Sequence, residues 1–217
     1  MNAEPFLRVR GLSKSYGIHN VSLDLEKGST LGLIGVSGSG KSTLARCLAG
    51  FDTAESGEIL LEGRSQWPRQ EVQLILQQPA ASLNPRFTAE EIVAEPLRIQ
   101  RRGDAPWRAR RARELMATVG LDPAAACSGA LEFSGGERQR LAIARALALE
   151  PKLLILDESL ASLDLSVQAQ IANLLLDLQE QRGLTYILIS HDVALVGRIA
   201  SEIAVMDRGA IVERRAA

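Results

Sequence analysis

The chain has 217 residues, of which 46% are hydrophobic, 24% charged and only 4% aromatic, and its formal net charge is −1. That length favours one domain able to bury roughly 70% of its unfolded surface, and the near-neutral charge lacks the basic excess that nucleic-acid binding leaves in a composition. The opening MNAEPFLRVRGL has no basic n-region or apolar h-region, and no stretch approaches 18 uncharged apolar residues, so neither a secretion signal nor a membrane span is expected and any link to a membrane must run through a partner.

In chain order, TLGLIG (30–35) reads as a buried strand and runs into GVSGSGKST (35–43), with the helix-like TLARCLAG behind it. Gly35, Gly40, Lys41 and Ser42 fit G-x-x-x-x-G-K-[ST]. In such a loop the backbone N–H groups, here including those of Ser37, Gly38, Ser39 and Thr43, curl around phosphates. Lys41 offers a point charge to the β and γ oxygens, and the Ser42 hydroxyl offers a ligand to Mg²⁺. At this chain's own residue frequencies the pattern arises by chance in roughly three such chains per thousand.

Residues from about 80 to 130 show no strand pattern. Rich in Ala and Arg, they are expected to form a helical insertion in a core made of about 1–79 and 131–217. Within them RIQRRGDAPWRARRAR (98–113) carries seven arginines, either a solvated helical face or a surface for a membrane partner or anionic headgroups.

A second glycine turn, FSGGERQR (133–140), opens the helical LAIARALALE. Ser134 followed by Glu137 is a capping box, which merely starts a helix. Two glycines inside such a box are costly in a first turn, and make sense if another molecule's phosphates approach the backbone. The first loop already occupies this chain's nucleotide, so the second is expected to serve that of another subunit across a dimer.

LLILDE follows as a buried strand ending in Asp157, a metal-holding carboxylate, and Glu158, a general base. In 166–182 the residues Val167, Ile171, Leu174, Leu175 and Leu178 share one helical face, with Ser166 as the expected cap and Gly183 past the end. TYILI (185–189) and IAVM (203–206) read as further strands. His191, in SHD after the former, is either structural or a γ-phosphate contact at the strand's C-terminal end. Strands alternating with helices imply a mostly parallel sheet covered on both faces. Cys47 and Cys127 lack metal-ligand spacing and read as reduced, inert cytosolic thiols.

These segments together resemble the ABC-type ATPases, the nucleotide-binding subunits of ABC transporters, over nearly the whole chain. SGGERQRLAIARAL resembles the signature segment, with Ser134, Gly135 and Gly136 matching directly, and LLILDE resembles Walker B. ASLD (161–164) resembles the D-loop, which brings Asp164 toward the nucleotide, and SHD the switch-histidine loop. Gln77 in ILQQP matches the loop glutamine that senses metal and nucleotide, and Tyr16 in LSKSYG the aromatic that stacks on adenine.

The resemblance implies an α/β fold: a P-loop NTPase core with a mostly parallel sheet, an N-terminal antiparallel β subdomain and an inserted helical subdomain. It implies hydrolysis of ATP with Mg²⁺. The catalytic set is Glu158, His191 and Gln77, the metal set Ser42, Gln77 and Asp157. It further implies transmembrane permease subunits and a second ATPase subunit (the same chain or a paralogue) as partners, no nucleic acid, and a peripheral place on the cytoplasmic face of the membrane.

QQPAASLNPRFT (77–88) and DLSVQAQIANLL (164–175) resemble the ATPases of dipeptide, oligopeptide and nickel importers, which usually continue beyond the point where GAIVERRAA ends this chain. In that family the surface beside Gln77 receives a short helix of the membrane subunit; Leu83 or Phe87 is expected to line it, with Pro79 and Pro85 restraining the backbone. Two departures carry expectations of their own. Glu137 replaces the usual glutamine and puts a negative charge near a γ-phosphate, predicting weaker affinity or altered turnover. Ser159 and Leu160 replace Pro-Thr and predict a looser following loop. The alternative is an ABC-type ATPase of a soluble complex, such as one for carbon–phosphorus cleavage or nucleic-acid maintenance. The 57 positions between Gln77 and Ser134 suit a helical insertion rather than a long coiled coil.

Overall fold

A computed structural model describes residues 4–77 and 82–217. Near the N-terminus, β1 (Leu7–Lys14), β2 (Ile18–Leu25) and β4 (Ser56–Leu61) form an antiparallel sheet in the order β2-β1-β4. The larger sheet contains β3 (Thr30–Ile34), β5 (Val72–Ile75), β6 (Leu153–Asp157), β7 (Thr185–Ile189), β8 (Glu202–Asp207) and β9 (Ala210–Ala216), in the order β5-β6-β7-β3-β8-β9. Its first five strands run parallel and β9 turns back antiparallel. Every residue of β6 and β7 is buried, as uninterrupted apolar runs in a two-sided parallel sheet require. Each of the four runs read as strands in the sequence is one.

Helix α1 (Lys41–Leu48) follows β3. The insertion contains α2 (Ala89–Ile99) and α3 (Ala105–Thr118). A Thr88–Glu91 capping box starts α2 and the Asp104 carboxylate caps α3. Ala89 N–H donates to Ser128 O, and Ala130 N–H to Phe87 O, which closes this segment on itself. Helices α4 (Gly135–Leu147), α5 (Leu165–Arg182) and α6 (Val193–Ile199) complete the chain. One apolar cluster joins the insertion, α4, α5 and α6 to one face of the large sheet; a second fills the space between the two sheets around α1.

The structure corrects several expectations. Asp164, not Ser166, caps α5: its carboxylate accepts from Val167 N–H at 2.9 Å, because the helix begins one residue before Ser166 and the residue ahead of its first turn takes the cap. Gly183 does end it, with a left-handed φ of 64°. Leu83 is only 4% exposed and belongs to the core, so it is not available to a partner; Pro79 lies outside the described residues. Of the seven arginines in 98–113, four are engaged locally. Arg98 stacks over Phe87, Arg108 donates to the carbonyls of Arg102 and Gly103, Arg111 pairs with Glu114 and Glu150, and Arg113 with Glu90. Cys47 is buried, and burial pushes its thiol up; Cys127 is exposed and both are free.

Candidate functional site

In the strand order β6-β7-β3 three neighbouring strands release their chains at one end of the sheet. There the loop 35–40, the Asp157–Glu158 pair and the Ser190–Asp192 segment meet, the position where open α/β sheets bind ligands. A cleft of about 590 Å³ is lined by Ser15, Tyr16, Gly17, Ser37, Gly38, Gly40, Lys41, Ser42, Thr43, Gln77 and Glu158. Most of the residues singled out in the sequence for the first loop therefore share one concavity.

The loop's shape depends on its glycines. Gly40 has φ 103°, and a Cβ there would lie 1.8 Å from Gly17 O. At Gly35 a Cβ would lie 2.1 Å from Met206 O. The loop also rests on the β8–β9 turn, where Gly209 N–H donates to Ser39 O at 2.9 Å. As N-cap, Gly40 brings no side chain to the first turn of α1, so that turn's N–H groups remain directed at the cleft as an anion site. Lys41 is buried and donates to Gly35 O at 2.8 Å and Val36 O at 2.9 Å.

Opposite, Ser42 Oγ donates to Asp157 Oδ1 at 3.1 Å. Burial raises the Asp157 carboxyl above its usual range, and the Ser42 hydrogen bond opposes the shift. A buried carboxylate beside a hydroxyl is an all-oxygen donor set suited to a hard dication such as Mg²⁺. Glu158 has φ 47°, a conformation non-glycine residues rarely adopt, and its N–H donates to Ile189 O at 2.9 Å. Strain of this kind concentrates at functional sites. Gln77 Nε2 donates to Glu158 Oε2 at 3.1 Å, and His191 Nδ1 stands 4.0 Å from the same oxygen. Tyr16 is 84% exposed at the rim, with a ring face free to stack.

The second glycine turn stands apart from this cleft. Ser134 Oγ accepts from Glu137 N–H at 3.3 Å while the Glu137 carboxylate accepts from Ser134 N–H at 2.8 Å. The bonds from Ser134 hold the Glu137 carboxyl below its usual range. The capping box therefore forms, and it engages the N–H groups of both Ser134 and Glu137. Gly136 also has an intramolecular reason to be glycine: a Cβ would lie 2.6 Å from Val167 Cγ1 on α5. Around Gly135 the nearest atom is 3.8 Å away, so packing does not explain that residue. The Asp164 carboxylate serves α5 as its cap.

The loop after Glu158 is pinned rather than loosened. Ser159 and Leu160 are buried, Gln139 Nε2 lies 3.5 Å from Ser159 Oγ, and Gln168 Nε2 donates to the carbonyls of Leu160 and Leu163 at 3.2 Å each. Sequence reading missed Gln139 and Gln168, along with the Gly17 carbonyl behind Gly40. A buried glutamine on an otherwise regular helix carries no local signal. A separate cleft of about 470 Å³ at the other end of β6 and β7 holds Lys27, Arg111, Lys152 and Arg182. The C-terminal ends of α4 and α5 converge there, and their dipoles favour cations, so those side chains complement the helix ends.

A glycine-rich loop opening a helix, with a buried carboxylate opposite, on a parallel sheet of this order defines a phosphate-loop nucleotide-binding domain. Residues 18–161 match the family model described as ABC transporter, and the chain belongs to that family. It is 44% identical over 98% of its length to the glutathione import ATP-binding protein GsiA of Salmonella typhimurium (strain LT2), covering 38% of that protein. It is 47% identical over 90% of its length to a Brucella abortus (strain 2308) protein named for peptide import, covering 62%. The chain thus spans between about two fifths and three fifths of the length of these relatives. Among solved structures, the dimeric ATP-binding cassette MJ0796 bound to ADP and Pi superposes with a TM-score of 0.85 at 27% identity, over 97% of this chain and 98% of that one. CbiO1 from Clostridium perfringens, part of the transporter complex CbiONQ, shares the fold with a TM-score of 0.88 at 24% identity, over 98% and 88%.

Proposed function

We propose that the chain is the ATP-hydrolysing subunit that powers an ABC importer of peptides, glutathione-like small solutes or a nickel complex. The observation that carries this reading is the single cleft in which Lys41, the Ser42–Asp157 pair and the Gln77–Glu158 pair converge. Its likeness to proteins named for peptide and glutathione import supports the transport reading over the soluble-complex alternative.

In this reading Tyr16 stacks on the adenine. The loop 35–43 wraps the phosphates with its N–H groups, and Lys41 turns from the Gly35 and Val36 carbonyls to the β and γ oxygens. Ser42 and Asp157, with Gln77 nearby, would hold Mg²⁺, which when bound neutralises charge on the transferred phosphoryl group. Glu158 takes the proton of the attacking water, held in place by its backbone turn and by Gln77, and His191 reaches the γ-phosphate from the neighbouring strand end. Ser134, Gly135, Gly136 and Glu137, with Asp164, face the nucleotide of a second subunit, so that two chains close on two ATP molecules. Among the described residues no helix is long and apolar enough to cross a membrane, in keeping with a peripheral subunit held to permeases on the cytoplasmic face. A small groove with Phe87, Ala94, Ala105 and Ala109 among three glutamates (Glu90, Glu91, Glu95) and two arginines (Arg98, Arg108) is, in this reading, the surface that meets them.

The test is Glu158→Gln, which keeps the amide-to-carboxylate size but removes the proton acceptor. ATP binding should persist while hydrolysis falls by roughly 10²–10⁴-fold, and the variant should collect as an ATP-bound dimer. Near-normal turnover would remove Glu158 from the role.

A further inference from the structure

The turn between α2 and α3 gathers positive charge that nothing around it neutralises. Residues 98–110 hold five arginines (Arg98, Arg101, Arg102, Arg108 and Arg110) and one acid, Asp104, in a chain whose formal net charge is −1. None of the five forms an ion pair with another described residue, and Arg101, Arg102 and Arg110 make no side-chain hydrogen bond to one either. Arg98 sits over the Phe87 ring at 5.5 Å, and Arg108 bonds only to backbone carbonyls. The Asp104 carboxylate is taken up by the α3 cap, accepting from Trp107 N–H at 2.9 Å. Of the glutamates in the adjoining groove, Glu90 pairs with Arg113 at 2.8 Å, Glu91 closes the Thr88 box, and Glu95 stands 4.0 Å from Arg145.

Two large apolar side chains stand among these charges. Ile99 is 68% exposed and Trp107 37% exposed. The turn that carries them is braced: Arg108 Nη1 donates to Gly103 O at 2.6 Å, and the Trp107 ring lies so close to Gly103 that a Cβ there would come within 2.2 Å of Cε3. Arg110 follows Trp107 by three positions on α3, hence on the same face. Exposed tryptophan and isoleucine ringed by unpaired arginines is the composition of a surface that lies against a lipid headgroup layer. There the indole sits between water and hydrocarbon, and a guanidinium fork meets two phosphate oxygens at once.

We propose that the α2–α3 turn is a membrane-surface contact, in which Arg101, Arg102 and Arg110 bind the phosphates of anionic lipids while Ile99 and Trp107 enter the headgroup layer. Arg98 and Arg108 belong both to this patch and to the groove assigned above to the permeases, so the two surfaces are continuous. A place on the bilayer beside a permease rests on that reading; binding to lipid does not. Each basic residue near an anionic surface contributes about fivefold in partition, so an excess of four positive charges gives half-binding near about 1 mM lipid. That is weak and reversible for the chain alone. Once a permease tethers the chain, the lipid contact becomes intramolecular and serves as a second anchor that orients the insertion.

The test is cosedimentation of the full chain with vesicles of equal parts phosphatidylcholine and phosphatidylglycerol, against phosphatidylcholine alone, at low salt and at about 0.5 M salt. The chain should bind the anionic vesicles at low salt and leave both the neutral and the high-salt samples. Replacing Arg101, Arg102 and Arg110 together with glutamine should lower partition by about 10²-fold, whereas replacing the three with lysine should keep most of it. Trp67→Phe leaves Trp107 as the only tryptophan, and its emission should move to the blue with anionic vesicles. Melting point and basal ATPase activity should stay those of wild type in every variant, because these side chains are at the surface. Equal binding to neutral vesicles, wild-type binding by the glutamine variant, or an unmoved Trp107 emission would overturn the proposal. So would a melting point that falls in step with binding, which would make the arginines structural. If the patch serves only a permease, these protein-free vesicles capture nothing and the lipid contact is wrong, while the transport reading stands. That reading fails separately if Glu158→Gln hydrolyses ATP at the wild-type rate.

Discussion

Replacing Gly136 with alanine separates two reasons for a glycine at the start of α4. The added Cβ would lie 2.6 Å from Val167 Cγ1, 3.6 Å from Cγ2 and 3.7 Å from Cβ, so one methyl contact is about 1 Å too short. Val167 cannot easily turn aside. A β-branched side chain in a helix has essentially one favoured rotamer, and its own N–H is fixed by the Asp164 cap. Overpacking of this kind costs about 1–3 kcal/mol, and the better helix propensity of alanine returns up to about 1 kcal/mol. Taken from the middle of that cost range, about 2 kcal/mol, the net loss is about 1–2 kcal/mol, which corresponds to a melting point lower by about 2–8 °C for a chain of this size. Thermal melts of Gly136→Ala, Val167→Ala and the double variant measure this directly. The double variant should melt with Val167→Ala, because the methyl then has room. ATPase assays on the same proteins test the second reason. If phosphates of a partner's ATP approach the Gly136 backbone, the double variant regains stability without regaining hydrolysis. An unchanged melting point in Gly136→Ala refutes the packing argument, and full hydrolysis in the double variant refutes the phosphate one.

Two further outcomes follow from the same geometry. Mixing a Lys41→Ala chain with a Ser134→Arg chain should restore one intact composite site per dimer from two nearly inactive parents, read as recovered ATPase activity; a mixture as inactive as its parents, with heterodimers verified by differently tagged chains, removes the shared-site reading. Phe87 is partly exposed, carries Arg98 5.5 Å above its ring and packs on the core behind it, so Phe87→Ala should cost more than about 1 kcal/mol in permease binding with a smaller fall in melting point. A lowered melting point with unchanged co-purification would make Phe87 a core residue only.

Much of this molecule was legible in local chemistry. The apolar runs 153–156 and 185–189 are strands because nothing else buries four or five consecutive apolar residues between turns so briefly. The loop 35–43 was readable because a phosphate cradle needs glycines, a lysine and a hydroxyl at set spacing, all within one turn of chain. Ser134 and Glu137 likewise form their box within three residues. What failed, or stayed invisible, depended on partners far away in sequence. Ser166 and Asp164 are both good caps, and the choice fell to the residue that packing placed just ahead of the first turn. Leu83 looked available until the fold enclosed it. Gly136 owes part of its identity to Val167 on the next helix, Gly40 to the Gly17 carbonyl, and Ser82 its anchorage to Arg145. Each of these is a contact between surfaces that only strand order and helix packing bring together, and no spacing along the chain encodes it.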